Sequence, residues 1–142
     1  GGAITLKDYT ALYSANYNNG TNIIKVLGTF TPAAGQYFRG CELQNGATLD
    51  LSAQKDVFSL VSAFTGGARE MKFAADALEI GVTLSDRPIL GNGKVVDWTG
   101  RAPENLADMK FTLDAASRRR GRRLIVKSDG LYVEGGFILF VR

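Results

Sequence analysis

From Thr48 to Ser52, apolar and polar residues alternate strictly: Leu49 and Leu51 point one way, and Thr48, Asp50 and Ser52 the other. Side chains along a strand alternate between its two faces, so this pattern predicts a half-buried strand. Asn45-Gly46 stands just before it. That dipeptide favours a tight hairpin turn and also serves corners between coils of a solenoid.

The same grammar recurs along the chain. Residues 23–27 predict a strand, with 29–31 as its continuation and Pro32-Ala33-Ala34-Gly35 as its end. Residues 37–43 and 47–52 predict two short strands around Asn45-Gly46. Residues 70–73 follow, and 78–84 alternate at Leu78, Ile80, Val82 and Leu84. Gly91-Asn92-Gly93 turns the chain into Lys94-Val95-Val96-Asp97-Trp98, residues 101–105 form a loop, and 109–113 alternate at Met109, Phe111 and Leu113. Two segments fit either a strand or a short helix. Residues 4–13 lean toward strand through Thr5, Tyr9, Thr10 and Tyr13, and residues 57–64 are apolar at helical offsets as well. The last segment places 123–127, 131–133 and 137–141 around Ser128-Asp129-Gly130 and Glu134-Gly135-Gly136. Three apolar runs divided by two glycine turns predict an antiparallel β-meander.

This spacing of strands and turns predicts an all-β fold. Two architectures accommodate it: a short β-solenoid closed by the C-terminal meander, and a β-sandwich or jelly roll. No fixed repeat period is visible in the sequence. No linker or low-complexity segment divides the 142 residues, which are read as a single domain, 1–142.

Composition narrows the class. Hydrophobic residues make up 45% and charged residues 22%, a globular balance. Seventeen glycines against three prolines suit many tight turns. The net charge of +3 is too small to argue for an anionic partner by itself. There is no histidine, so the usual general base near neutral pH and the commonest metal ligand are both missing. Cys41 stands alone, which rules out an internal disulfide and favours a small buried hydrophobe over a nucleophile. No apolar run approaches the length of a membrane helix. The start at Gly1-Gly2-Ala3, without Met, reads as a processed, trimmed or tagged fragment of a larger protein.

Two clusters are candidates for binding. Arg118, Arg119, Arg120, Arg122 and Arg123 form the only dense charge cluster, which with Lys110 and Lys127 is either an anion patch for phosphate or sulfated glycan or a solvated turn. No aromatic lies between Ala115 and Leu124, which argues against nucleic acid. Tyr9, Tyr13, Tyr17 and Tyr37 gather in the first quarter, either as sugar-stacking platforms or as buried rings with the hydroxyl at the rim. The carboxylates Asp50, Asp56, Asp76, Glu79, Asp86 and Asp97 are scattered rather than paired, as glycoside cleavage would require. No phosphate loop, calcium loop, dinucleotide fingerprint or nucleophile elbow is present. The expectation is therefore a non-catalytic protein with no cofactor and no metal.

The segment Asn45-Gly46-Ala47-Thr48-Leu49-Asp50-Leu51-Ser52 resembles the Gly-Ala-Thr-Leu-Asp-Leu segments of the passenger regions of bacterial autotransporter-like surface proteins. The resemblance continues through Val57-Phe58-Ser59-Leu60, Lys72-Phe73-Ala74-Ala75-Asp76-Ala77, Gly93-Lys94-Val95-Val96-Asp97-Trp98-Thr99 and Asp129-Gly130-Leu131-Tyr132-Val133, covering residues 21–142. The arginine cluster and the tyrosine-rich start are not part of that pattern. The resemblance implies the closing part of a right-handed β-solenoid and an extracellular or cell-surface location. It implies a structural or adhesive role, with a host or matrix glycan or another surface protein as partner, or self-association through β-edges. A carbohydrate-binding module is the second expectation, and a polysaccharide-acting enzyme on a β-helix the third.

Overall fold

Short strands joined by tight corners make up most of the described residues. The computed structural model describes residues 2–11, 23–63, 69–136 and the backbone of 138–139. In order the strands are β1 (Ala3–Leu6), β2 (Tyr9–Thr10), β3 (Ile23–Val26), β4 (Thr29–Thr31), β5 (Cys41–Leu43), β6 (Thr48–Asp50), β7 (Phe58–Ser59), β8 (Met71–Phe73), β9 (Glu79–Thr83), β10 (Ile89–Leu90), β11 (Lys94–Asp97), β12 (Lys110–Leu113), β13 (Arg123–Lys127), β14 (Gly130–Glu134) and β15 (Ile138–Leu139). A one-turn helix, α1 (Ala115–Arg119), and a 3-10 turn at Leu106–Asp108 are the helical elements among the described residues.

Successive strands return to the same sheets. The first sheet runs β1-β3-β5-β8 and the second β2-β4-β6-β9-β12, and every pair in both is parallel. Such pairing differs from the antiparallel sheets usual in sandwiches and jelly rolls, the second architecture that strand spacing accommodates. In-register pairing stacks like on like. Ile24, Cys41 and Met71 form one buried row, and Val26 and Leu43 another that ends at the half-buried Phe73. In the second sheet Tyr9, Phe30, Leu49, Val82 and Leu113 stand in one column. The Tyr9 and Phe30 rings stack at 5.3 Å with planes 15° apart, and Phe30 meets Phe38 edge-on at 5.6 Å. Each fully buried aromatic or aliphatic side chain in such a column contributes about 1.5–3 kcal/mol.

The corners explain why 23–31 is not one strand. The chain bends at Leu27-Gly28, so β3 lies in the first sheet and β4 in the second. Asn45-Gly46 makes the same bend between β5 and β6, which do not pair with each other, and so forms a corner rather than a hairpin. Gly46 takes φ +84°, a left-handed conformation that glycine adopts without steric cost. The Asn45 carboxamide oxygen accepts the Leu78 and Glu79 N–H groups, each at 2.9 Å, tying this corner to the chain entering β9.

The C-terminal region departs from the predicted meander. β13 and β14 form the expected hairpin, but β14 places its other edge against β11, also antiparallel. The resulting sheet runs β13-β14-β11-β7. The third predicted strand instead pairs parallel with β10, Ile138 opposite Ile89. The 57–64 segment narrows to β7, and Phe64 and the turn after it lie outside the described residues. Trp98, 1% exposed, closes the core where this sheet meets the others, its indole N–H donating to the Ser128 carbonyl at 3.1 Å.

Candidate functional site

Three places bring chemically equipped side chains together. The first is a groove at the end of the first sheet. That sheet stops at β8, whereas the second continues to β12, and the chain between Trp98 and Met109 crosses the vacated position as a loop and a 3-10 turn. A cavity of about 390 Å³ remains, its lining including the charged Glu42, Glu70, Lys72, Arg101 and Glu104 and the ring of Phe73. Arg101 closes one side through an ion pair with Glu70 at 3.1 Å.

The second is an ion network on the third sheet. Lys94 and Tyr132 are cross-strand partners in β11 and β14. Lys94 Nζ lies 2.8 Å from Asp97 Oδ1 and 3.1 Å from Asp129 Oδ2. The Tyr132 hydroxyl donates to the same Asp129 oxygen at 2.9 Å, and Lys127 Nζ sits 4.2 Å from the centre of the Tyr132 ring. Thr99 donates both its hydroxyl and its N–H to Asp97. The Lys94 ammonium holds Asp97 and Asp129 below the usual carboxylate range, and its bonds to them, that to Asp97 foremost, raise its own pKa. Tyr132 is raised by its bond to Asp129. Lys94, Asp97 and Asp129 are thus favoured in their charged forms and Tyr132 in its neutral form. They suit charge pairing better than proton donation at neutral pH.

The third is the arginine cluster, which the fold divides. Arg118 and Arg119 end α1, Arg120 follows as its C-cap, and all three are exposed. Arg122 points inward instead, 3% exposed, and donates to the Ser85 carbonyl. Burial lowers its pKa, with the Arg120 charge adding to the effect and Asp114 and Asp86 opposing it. Arg123 is engaged by Glu134 across the β13–β14 pair. Of the five arginines, Arg122 is therefore withdrawn from the surface, and Arg118, Arg119, Arg120 and the ion-paired Arg123 remain exposed.

The tyrosines do not form one platform. Tyr9 is half-buried, with one face on Phe30 while its hydroxyl accepts the Arg39 N–H at 2.9 Å. Tyr37 is half-buried beside the turn at Pro32-Ala33-Ala34-Gly35, in a β-bridge with Ala33. Tyr13 and Tyr17 lie outside the described residues. Cys41 is buried in the first sheet, and the loss of solvent pushes its thiol pKa up, away from nucleophilic use.

Sequence reading missed the Lys94 network, although a signal was present. Lys94-Val95-Val96-Asp97-Trp98-Thr99 and Asp129-Gly130-Leu131-Tyr132-Val133 were separate stretches of the surface-protein resemblance. The structure pairs them: Asp97 faces Gly130, and the Trp98 N–H donates to the Asp129 carbonyl at 2.9 Å.

Among the described residues no group of three or more His, Cys, Asp or Glu side chains is placed to hold a metal ion, and no helix is long and apolar enough to cross a membrane. Scans against protein-family models, curated proteins and solved structures give no match to this chain.

Proposed function

We propose that this chain is a segment of a short right-handed β-solenoid, closed by the β13–β14 hairpin, that serves as a non-catalytic structural or adhesive module of a secreted or cell-surface protein. The observation that carries the reading is the unbroken parallel register of the first two sheets. Each excursion of the chain returns in step with the last, and inward rows such as Phe30, Leu49 and Val82 repeat at the same depth. Stacked units of this kind bury a shared core while presenting long outer faces, an arrangement suited to spacing and display. The autotransporter-like segments support the same reading, since residues 45–52 form a corner and a strand of the stack.

The outer faces carry the adhesive role. The outward row Lys25, Glu42, Lys72 alternates charge across three strands of the first sheet and ends at the groove. A binding partner there reads a rigid polar surface rather than a deep pocket.

The test is surface labelling. An antibody raised against this chain should stain intact cells of the producing organism, and cells displaying the chain should adhere better to matrix-coated plates than cells without it. Staining only after permeabilisation, or equal adhesion with and without the chain, defeats the proposal.

A further inference from the structure

We infer that the α1 corner is a docking point for a sulfated polysaccharide, recognised by Arg118, Arg119 and Arg120. The inference stands apart from the proposed function, because it rests on the charge and mounting of one corner. Among the described residues the side chains of these three arginines have no hydrogen-bonding or ion-pair partner, whereas Arg122 and Arg123 of the same run are engaged. Three adjacent unpaired guanidiniums concentrate positive charge at one corner, which suits a polyanion.

The corner beneath them is fixed. Asp114 caps α1 by accepting the Ser117 N–H at 3.1 Å, and the buried Ser117 hydroxyl oxygen lies 3.0 Å from the Ser85 carbonyl. The N–H groups of Arg120 and Arg122 both donate to the Ser117 carbonyl, at 3.0 and 3.1 Å. On the far side Gly135-Gly136 presses against the turn. A Cβ on Gly135 would lie 2.4 Å from the Gly121 carbonyl oxygen, and one on Gly136 would lie 3.0 Å from that of Arg120. Only glycines allow the chain leaving β14 to clamp the base of the arginines this closely. A backbone held in this way gives up less freedom on binding than a free basic tail does.

The geometry favours one class of polyanion. Consecutive helical residues project about 100° apart, so the three side chains fan outward instead of lining one face. A flexible chain with several sulfates per repeat can wrap such a fan, each guanidinium gripping a sulfate through two parallel N–H bonds. Single-stranded nucleic acid would need stacking rings, and residues 115–123 supply none. A bilayer presents its phosphates in a plane, which the fan does not match.

The test uses the whole chain on immobilised heparin and in titration with a heparin octasaccharide. R118A/R119A/R120A should weaken octasaccharide binding at least tenfold and lower the slope of log affinity against log salt by about 2–3. K7Q/K55Q removes charge from exposed lysines elsewhere and should change affinity less than twofold. R118K/R119K/R120K keeps the charge without the fork and should fall between. Single R118Q, R119Q and R120Q variants, each expected to lose two- to threefold, carry the test if the triple variant does not fold. Unchanged binding by the arginine variants, or an equal loss in the lysine variant, overturns the inference. Tighter binding of duplex DNA or of phosphatidylserine vesicles at the same salt overturns the choice of partner.

Discussion

The two ends of β9 are held by the same device in different chemistry. At the entering end the exposed Asn45, from the corner before β6, accepts the N–H groups of Leu78 and Glu79 at 2.9 Å each. At the leaving end the half-buried Asp114, just after β12, accepts those of Leu84 and Ser85 at 2.9 and 3.3 Å. Since β9 lies between β6 and β12, one clamp comes from each neighbour. Asn45 is neutral and serves only its corner. Asp114 is charged and also caps α1, with the Ser117 hydroxyl 2.8 Å from its Oδ1. The contrast teaches that a parallel stack can be locked at its corners by any short acceptor, and that a carboxylate there links the lock to pH and to a second element.

The largest effect should come from removing what the clamps hold. Ile80 and Val82 are the inward residues of β9, each 1% exposed. Ile80→Ala should lower unfolding free energy by about 3 kcal/mol in urea titration, and both clamps should loosen together in amide exchange. Protection lost at only one end of β9 would show that the clamps stand without the strand between them.

How far this arrangement was legible follows from the range of each signal. The alternation of residues 48–52 reported the inward Leu49 correctly, because period-two patterning is local. The partner of Leu49 was not legible. Phe30 precedes it by one short excursion and Val82 follows by a much longer one, so no period appears in the sequence although the register is regular. Asn45-Gly46 announced a turn, but whether the flanking strands pair with each other depends on distant strands competing for their edges. Leu78 fitted the alternating pattern yet is 52% exposed, since β9 begins only at Glu79. The arginine run showed its charge, while the inward turn of Arg122 depends on Ser85, a contact that local sequence does not encode.

The clamps themselves should rank by what each leaves unsatisfied. Asp114→Ala strips acceptors from Leu84, Ser85 and the start of α1, and should cost about 2 kcal/mol. Asn45→Ala exposes two N–H groups that water can reach, and should cost about 1 kcal/mol. Thermal or urea unfolding of the two variants side by side checks the order. A larger loss at Asn45 would show that α1 adds nothing to the second clamp.

Acid should separate the clamps next. Burial pushes the Asp114 pKa up, but the N–H groups of Leu84, Ser117 and Ser85 and the Ser117 hydroxyl outweigh it and hold the pKa below the usual carboxylate range. A carboxyl depressed in the folded state contributes stability that is fully present above its unfolded value near pH 4 and is lost as pH falls through the folded value. Asp97, held down by Lys94, adds to the same slope. Stability of the unaltered chain should therefore be level from about pH 7 to 5 and fall below about pH 4. Asp114→Asn should flatten part of that fall, leaving the Asp97 share, and Asn45→Ala should shift the whole curve down without changing its shape. A matching change of shape in the Asn45 variant would mean that the first clamp is not independent of pH.

The smallest effect is the most discriminating. β9 spans five residues, or about 17 Å, so its ends are too far apart to share a partner directly. Sites at that separation usually add within about 0.5 kcal/mol. If β9 is a rigid bar between two independent locks, N45A/D114A should lose the sum of the single losses within that margin. If instead the strand frays as a unit once either end is freed, the second substitution costs less than it does alone, because the bonds it removes are already open part of the time. A coupling above about 1 kcal/mol in the double-mutant cycle, with amide exchange at Gly81 accelerated in either single variant, would establish fraying. The stack would then owe its regularity to its corners as much as to its buried columns.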